Sequence, residues 1–286
     1  MFSAEPITKM SENKYAIVTG ASQGMGKYIA LELARRNINL ILISLPDQEL
    51  DSFCKTLASD FGIEAIAYET DLCIPESITA LSRWVNENFE IDILINNAGL
   101  GGSMKFTDAQ TDYINKIIQL NVTATSLLTH LLLPNLIRQK KAYILNISSI
   151  AALAPIGYKT VYPASKAFVH SFSRGLRYEL KDTNVLVSVA HPGPMKTTVE
   201  NSERLDRQGT LGKFLMSTPE RNARICVDYL LKGKSLIILN KLSWLVMNYA
   251  PDWLKTRLIS EASKKEILEQ YTEYKKATRR TVSLKE

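Results

Sequence analysis

Short, nearly unbroken apolar runs recur along this chain, and each is followed by a stretch of helical length. This alternation limits the fold more than any other feature. The runs lie at residues 15–19 (YAIVT), 39–44 (NLILIS), 64–69, 91–96 (IDILIN), 142–148 (AYILNIS), 185–190 (VLVSVA) and 235–239. Between them the pattern predicts helices ending near residue 37, then over 48–61, 75–89 and 162–180. Residues 108–138 read as one or two helices, with Pro134 near the end. Strands that are apolar on both faces belong to a parallel sheet covered by helices on both sides. The expected architecture is therefore α/β, a doubly wound parallel sheet. Ligands of such sheets sit at the strand C-termini, near the point where strand order reverses.

With 286 residues, 45% hydrophobic and 22% charged, the chain can bury a sizeable core. Composition shifts only in the last twenty or so residues. The simplest division is a lead at 1–13, one catalytic domain at 14–240 and a helical extension at 241–286, with a substrate loop over 194–218 inside the domain. The net charge of +6 is mildly basic. No Lys/Arg block with interleaved aromatics accompanies it, so no nucleic-acid partner is expected. Cys54, Cys73 and Cys226 are odd in number and lack metal-ligand spacing, which suits reduced thiols in the cytoplasm. No apolar leader occupies the first thirteen residues, and no run reaches the ~18 apolar residues of a membrane span.

Three local features carry chemistry. Thr19-Gly20-Ala21-Ser22-Gln23-Gly24-Met25-Gly26 links the first strand to the first helix. Its glycines permit a tight turn, and a helix N-terminus offers free N–H groups to a pyrophosphate. Tyr162 and Lys166 stand four apart, so on a helix they share one face. A cation beside a phenol favours the phenolate and suits it to proton exchange near neutrality. Alone, that pair reads as a chance pair on a solvated helix. Ser148-Ser149 ends an apolar run just upstream, and with the glycine turn the three features describe a hydride-transfer site.

With these residues in place, the chain resembles the short-chain dehydrogenase/reductase family, of the compact single-domain type, from about residue 15 to 239. The motifs appear in order: the T-G-x-x-x-G-x-G turn, Asp71-Leu72, Asn96-Asn97-Ala98-Gly99, Ser149 thirteen residues before Tyr162-x-x-x-Lys166, and Pro192-Gly193. The resemblance implies a Rossmann-like fold and a carbonyl/alcohol oxidoreductase. In it Tyr162 is the general acid/base and Ser149 polarises the substrate oxygen. Lys166 lowers the tyrosine pKa and holds the ribose, and Asn121 completes a proton relay through water. Thr19, Gly20, Ser22, Gln23, Gly24, Met25 and Gly26 would hold the pyrophosphate. Asp71 and Leu72 would meet the adenine, Asn97, Ala98 and Gly99 the cofactor floor, and Pro192, Gly193 and Thr197 the nicotinamide end. Ser44 stands where an acidic residue often marks NAD use, which tips the expectation to NADP over NAD. Homodimers or homotetramers are common in the family.

The plain alternatives are definite. Asn97 would only tie neighbouring loops, Asp71 would cap the following helix, and Ser148 and Ser149 would simply end a strand. His130, His170 and His191 are structural. Pro163 directly after Tyr162 requires that the helix begin there, and Gln23 stands where many members carry a base. A serine hydrolase is excluded because no G-x-S-x-G elbow is present. Two other functions compete: a dinucleotide-binding regulatory protein without catalysis, and a protein of lipid surfaces. The latter draws on the apolar residues between 236 and 254, too many for a solvated tail. They are expected to form a last strand and a packed helix, to wall an apolar substrate pocket, or to contact a membrane peripherally. The charged helix at 263–280 is expected to face solvent.

Overall fold

A computed structural model describes residues 14–195 and 217–283, with side chains through Glu269. Seven parallel strands run in the order β3-β2-β1-β4-β5-β6-β7. They are β1 (Lys14–Thr19), β2 (Asn39–Ser44), β3 (Ala65–Glu69), β4 (Glu90–Asn96), β5 (Ala142–Ile147), β6 (Val185–His191) and β7 (Leu236–Ile238). The chain winds outward from β1 to β3, then crosses back and winds the other way from β4. Two crevice walls thus diverge at the C-terminal ends of β1 and β4.

The apolar runs are continuous because both faces of the sheet are covered. In β1 and β2, Ala16, Val18, Leu40 and Leu42 face one core layer, while Tyr15, Ile17, Ile41 and Ile43 face the other. The first layer is closed by α1 (Gly24–Ala34), α2 (Leu50–Phe61) and α7 (Pro219–Leu231), through residues such as Ile29, Leu33, Leu57 and Val227. The second is closed by α3 (Pro75–Asn88) and α5 (Thr125–Ile137), through Leu81, Val85, Leu128, Leu132 and Leu136. Each of these side chains is fully buried or nearly so. Burying one contributes about 1.5–3 kcal/mol.

The region predicted as one or two helices is a single path with an internal irregularity. α4 (Thr111–Ile118) passes through a π-helical turn, Gln119–Ala124, into α5. Read as one helix, residues 111–137 contain an 18-residue window apolar enough by composition to cross a membrane, with a mean hydropathy of 1.3. That corrects the expectation that no such stretch exists. The leucines responsible include those of the second core layer, which explains them without a bilayer.

After β7 come α8 (Lys241–Tyr249) and α9 (Asp252–Ser283). The extension is helical, and its second half does not simply face solvent. Ser263 is buried, and Glu266 sits against the loops after β4 and β5.

Candidate active site

The glycine turn is held by β4. Thr19 Oγ1 donates to the Ile95 carbonyl at 3.3 Å and accepts the amides of Asn97 and Ala98, both at 3.0 Å. Asn97 Nδ2 returns to the carbonyls of Thr19 at 2.9 Å and Gly20 at 3.2 Å. Asn97 is therefore the loop tie that the plain reading describes, with its amide engaged inside the protein. Gly20 is left-handed, with φ +65°, a conformation that costs a side-chain residue energy. At Gly26 a Cβ would penetrate the Gly20 carbonyl oxygen and lie 2.5 Å from Asn97 Nδ2. Helix α1 can approach the turn this closely only with glycine there. Its N-cap, Gln23, makes no side-chain cap. The first-turn amides thus lack a side-chain cap and suit an anion such as a pyrophosphate.

The adenosine side is less decided. Asp71 Oδ1 accepts the Cys73 amide at 2.8 Å, a local turn, and Leu72 is part of the core. Ser22 Oγ donates to Gln48 Oε1 at 3.3 Å. Ser44 is buried, and its hydroxyl donates to the Leu45 carbonyl at 2.9 Å. The expected phosphate donor is thereby turned into its own backbone, while Leu45 is exposed.

The reacting end lies on α6 (Val161–Glu179), against the loops after β4 and β5. Pro163 falls in the first turn, where a missing N–H breaks no helical bond. Tyr162 is half-buried, its ring packed on Gly101, where a Cβ would lie 3.2 Å from Cε2. One turn on, Lys166 is buried and donates from Nζ to the Ile147 carbonyl at 2.9 Å. Among the described residues no carboxylate pairs with it. Burial pushes its pKa down to about 8. Gly99 leaves room for this group, since a Cβ there would sit 3.0 Å from Nζ and 3.2 Å from Asn121 Oδ1. An enclosed ammonium with one carbonyl acceptor fits the hydroxyl oxygens of a ribose.

Asn121 lies within the π turn and is fully buried. Its Oδ1 accepts the Leu100 amide at 2.8 Å, and Nδ2 donates to the Leu100 carbonyl at 2.9 Å and to Ser165 Oγ at 2.8 Å. Both amide hydrogens are engaged, so the side chain acts as a clamp between the β4 loop and α6. π turns widen a helix and frequently mark functional sites. Ser149 is buried and its Oγ accepts the Ala151 amide at 3.1 Å, which leaves its proton able to point at a ligand oxygen. Ser148 instead donates to the Lys166 carbonyl at 2.8 Å, a structural bond, as the plain reading had it. The Pro192 carbonyl accepts the Ile150 amide at 3.0 Å and holds the turn after Ser149. Thr197 and residues 196–216 of the expected substrate loop lie outside the described residues.

Below the site a buried amide chain crosses the sheet. Asn96 Nδ2 donates to Thr129 Oγ1 at 3.0 Å and Asn146 Oδ1 at 2.8 Å, and Asn146 Nδ2 donates to Ser173 Oγ at 2.9 Å. It locks α5 and α6 to β4 and β5. His170 Nδ1 lies 3.0 Å from His191 Nε2; burial first, then Arg174, lowers the pKa of His170, and burial, then His170 and Arg174, lowers that of His191 to about 3. Both are neutral at physiological pH and structural, while His130 is exposed. Among the described residues no cluster could hold a metal.

Sequence reasoning missed the C-terminal contribution. Lys255 Nζ donates to the Leu153 carbonyl at 3.3 Å and the Met247 carbonyl at 2.7 Å, and pairs with Asp252 at 2.8 Å. Ser260 Oγ accepts the Gly157 amide at 2.7 Å. Glu266 accepts Ser103 Oγ at 3.0 Å and pairs with Lys159 at 3.3 Å. One helix thus pins the loop of Ser149 and the loop of Gly101. The only signal was a buried-type serine spacing inside a charged helix, too weak to use.

Known proteins agree with this geometry. Residues 14–208 match the short chain dehydrogenase family. A very-long-chain 3-oxoacyl-CoA reductase from Anas platyrhynchos is 37% identical over 217 residues, which cover 74% of this chain and 67% of that protein. The inactive hydroxysteroid dehydrogenase-like protein 1 of Homo sapiens is 29% identical, with 84% of this chain and 73% of that one covered. The structure of a short-chain dehydrogenase from Sphingobium yanoikuyae in complex with NADPH superposes with a TM-score of 0.74 at 26% identity, over 85% of this chain and 95% of the other. The chain belongs to the short-chain dehydrogenase/reductase family of NAD(P)-dependent oxidoreductases.

Proposed function

We propose that this short-chain dehydrogenase/reductase reduces a carbonyl, or oxidises the matching secondary alcohol, on a long apolar substrate, with NADP used in preference to NAD. The nicotinamide, when bound, supplies or accepts the hydride. The residues do the rest. Tyr162 passes a proton to or from the substrate oxygen, and Ser149 donates a hydrogen bond to that oxygen as charge develops on it. The Lys166 ammonium favours the phenolate form of Tyr162 and offers its remaining donors to the ribose. Asn121 fixes the distance between α6 and the β4 loop, and any part it takes in a relay falls to its main chain.

The observation that carries this reading is the buried, carboxylate-free ammonium of Lys166, one helical turn from Tyr162 and against Gly99 of the loop after β4. A structural lysine at such depth is ordinarily paired with a carboxylate. The choice of a long-chain carbonyl, such as a 3-oxoacyl thioester, is supported by the name of the Anas platyrhynchos relative. NADP is supported by the NADPH-bound neighbour and by the absence of a carboxylate at Ser44. The free thiols of Cys54, Cys73 and Cys226 support the cytoplasm. A homo-oligomer is supported by family membership, and sedimentation velocity of the purified protein reads it directly.

The test is oxidation of NADPH with 3-oxoacyl-CoA substrates of increasing chain length. Tyr162→Phe should lower turnover by about 10²–10⁴-fold while NADPH still binds. Cofactor binding with no turnover on any carbonyl would favour the non-catalytic regulatory reading. That reading draws on the relative named as inactive.

A further inference from the structure

The outer face of α8 is the reverse of an ordinary surface helix. Leu242, Leu245, Val246 and Tyr249, spaced i, i+3, i+4 and i+7, are 54%, 48%, 52% and 76% exposed, and Trp253 at the start of α9 is 68% exposed. The buried side of the same helix holds Ser243 and Met247. The apolar stripe is therefore not left over from core packing, because the core takes the other face. Single exposed leucines need no explanation, but a contiguous stripe with two aromatics does.

We propose that this stripe seats the protein on the surface of an anionic phospholipid bilayer. Two observations select that occupant. The first is residue type: leucine, valine, tyrosine and tryptophan on one side of a short helix are what the boundary between headgroups and acyl chains accommodates. The second is charge. Two cations flank the stripe and are exposed: Lys241 at the start of α8, and Arg257 one turn beyond Trp253. Lys241 is the sole charged side chain of α8, and the nearest acid, Asp252, is paired with Lys255. Exposed cations at both ends of an apolar stripe complement anionic headgroups. A symmetric contact between two copies would instead bring these cations together with no acid on the stripe to meet them.

The placement has a consequence that rests on the apolar substrate proposed above. α9 continues from the stripe and holds Leu153, Gly157 and Ser103 beside the site. A bilayer beneath α8 then holds the helix that braces these loops. Long-chain substrates partitioned into that bilayer would then be concentrated at the protein that turns them over.

The experiment measures docking without turnover, so it does not depend on the enzymatic reading. Full-length protein is floated with vesicles of phosphatidylcholine alone, and with vesicles containing about 30 mol% phosphatidylserine. Wild type should bind the anionic vesicles, less at high salt, with a blue shift of tryptophan emission. The double variant Leu245→Asp, Val246→Asp should lose at least tenfold in partitioning. Both side chains are half exposed, so its thermal melt and its turnover of a short soluble carbonyl should match wild type. If the variant fails to fold, Tyr249→Ser with Trp253→Ser is used in its place. No binding by wild type, or equal binding by folded variants, would overturn the proposal. So would a dimer seen by sedimentation that these variants dissolve, since the stripe would then serve a second copy.

Discussion

Replacing Lys166 with methionine should stabilise the protein while destroying its activity. The lysine is enclosed, and burial lowers its pKa from 10.5 to about 8. A shift of that size, at ~1.4 kcal/mol per unit, means that keeping the ammonium charged in the fold costs roughly 3 kcal/mol. Methionine fills similar space with no charge. It forfeits the charged hydrogen bond to the Ile147 carbonyl, worth about 1–3 kcal/mol. The balance is a gain of about 0–2 kcal/mol at pH 7. The sign with pH follows from proton counting. Below about pH 8 the folded and unfolded states both hold the proton, and the wild-type penalty is complete. Between about 8 and 10.5 the unfolded chain binds more protons than the folded one, so wild-type stability rises with pH. Urea denaturation of both proteins without cofactor, from pH 6.5 upward, measures the difference. It should favour the variant near pH 7 and shrink towards pH 10.5. A variant clearly less stable than wild type at pH 7, or a difference flat across that range, would refute the reasoning.

Gly26→Ala should push α1 away from the glycine turn, because its Cβ has no space beside Gly20 and Asn97. Fluorescence titration of NADPH should show at least about tenfold weaker binding, equivalent to ~1.4 kcal/mol. Asp92 is buried, with its pKa pushed up to about 7 by burial and only partly opposed by Lys14. The folded protein holds that proton longer than the unfolded chain, so wild type loses stability as pH rises from about 4 to 7. Asp92→Asn should remove this loss and gain up to a few kcal/mol at neutral pH, with little change near pH 4, as measured by chemical denaturation. Glu266→Gln should raise KM for bulky carbonyls severalfold while leaving kcat nearly unchanged, because it loosens the Ser103 and Lys159 loops and touches no reacting group. A fall in kcat at constant KM would contradict that placement.

The amino-acid sequence by itself determined the sheet and the chemistry on it. Strand β2 was legible to its ends, Asn39 to Ser44, because burial on both faces makes Leu40 to Ile43 apolar and leaves a run with sharp polar borders. The Tyr162/Lys166 pair and the glycine turn were legible because helix period and turn stereochemistry are local, set within a few residues. Other features depended on partners far away in the chain. Nothing near Ser44 shows that its hydroxyl would turn onto the Leu45 carbonyl, and nothing near Asn121 announces a π turn. The helix at 263–280 looks solvated because its charges are visible and their partners are not. Glu266 meets Ser103 across 163 residues, and Lys255 meets Leu153 across 102. A one-dimensional pattern records which side chains must be buried. Only the packed chain decides which distant backbone atoms they meet, since that choice depends on how the β4 and β5 loops and the last helix close over the same end of the sheet.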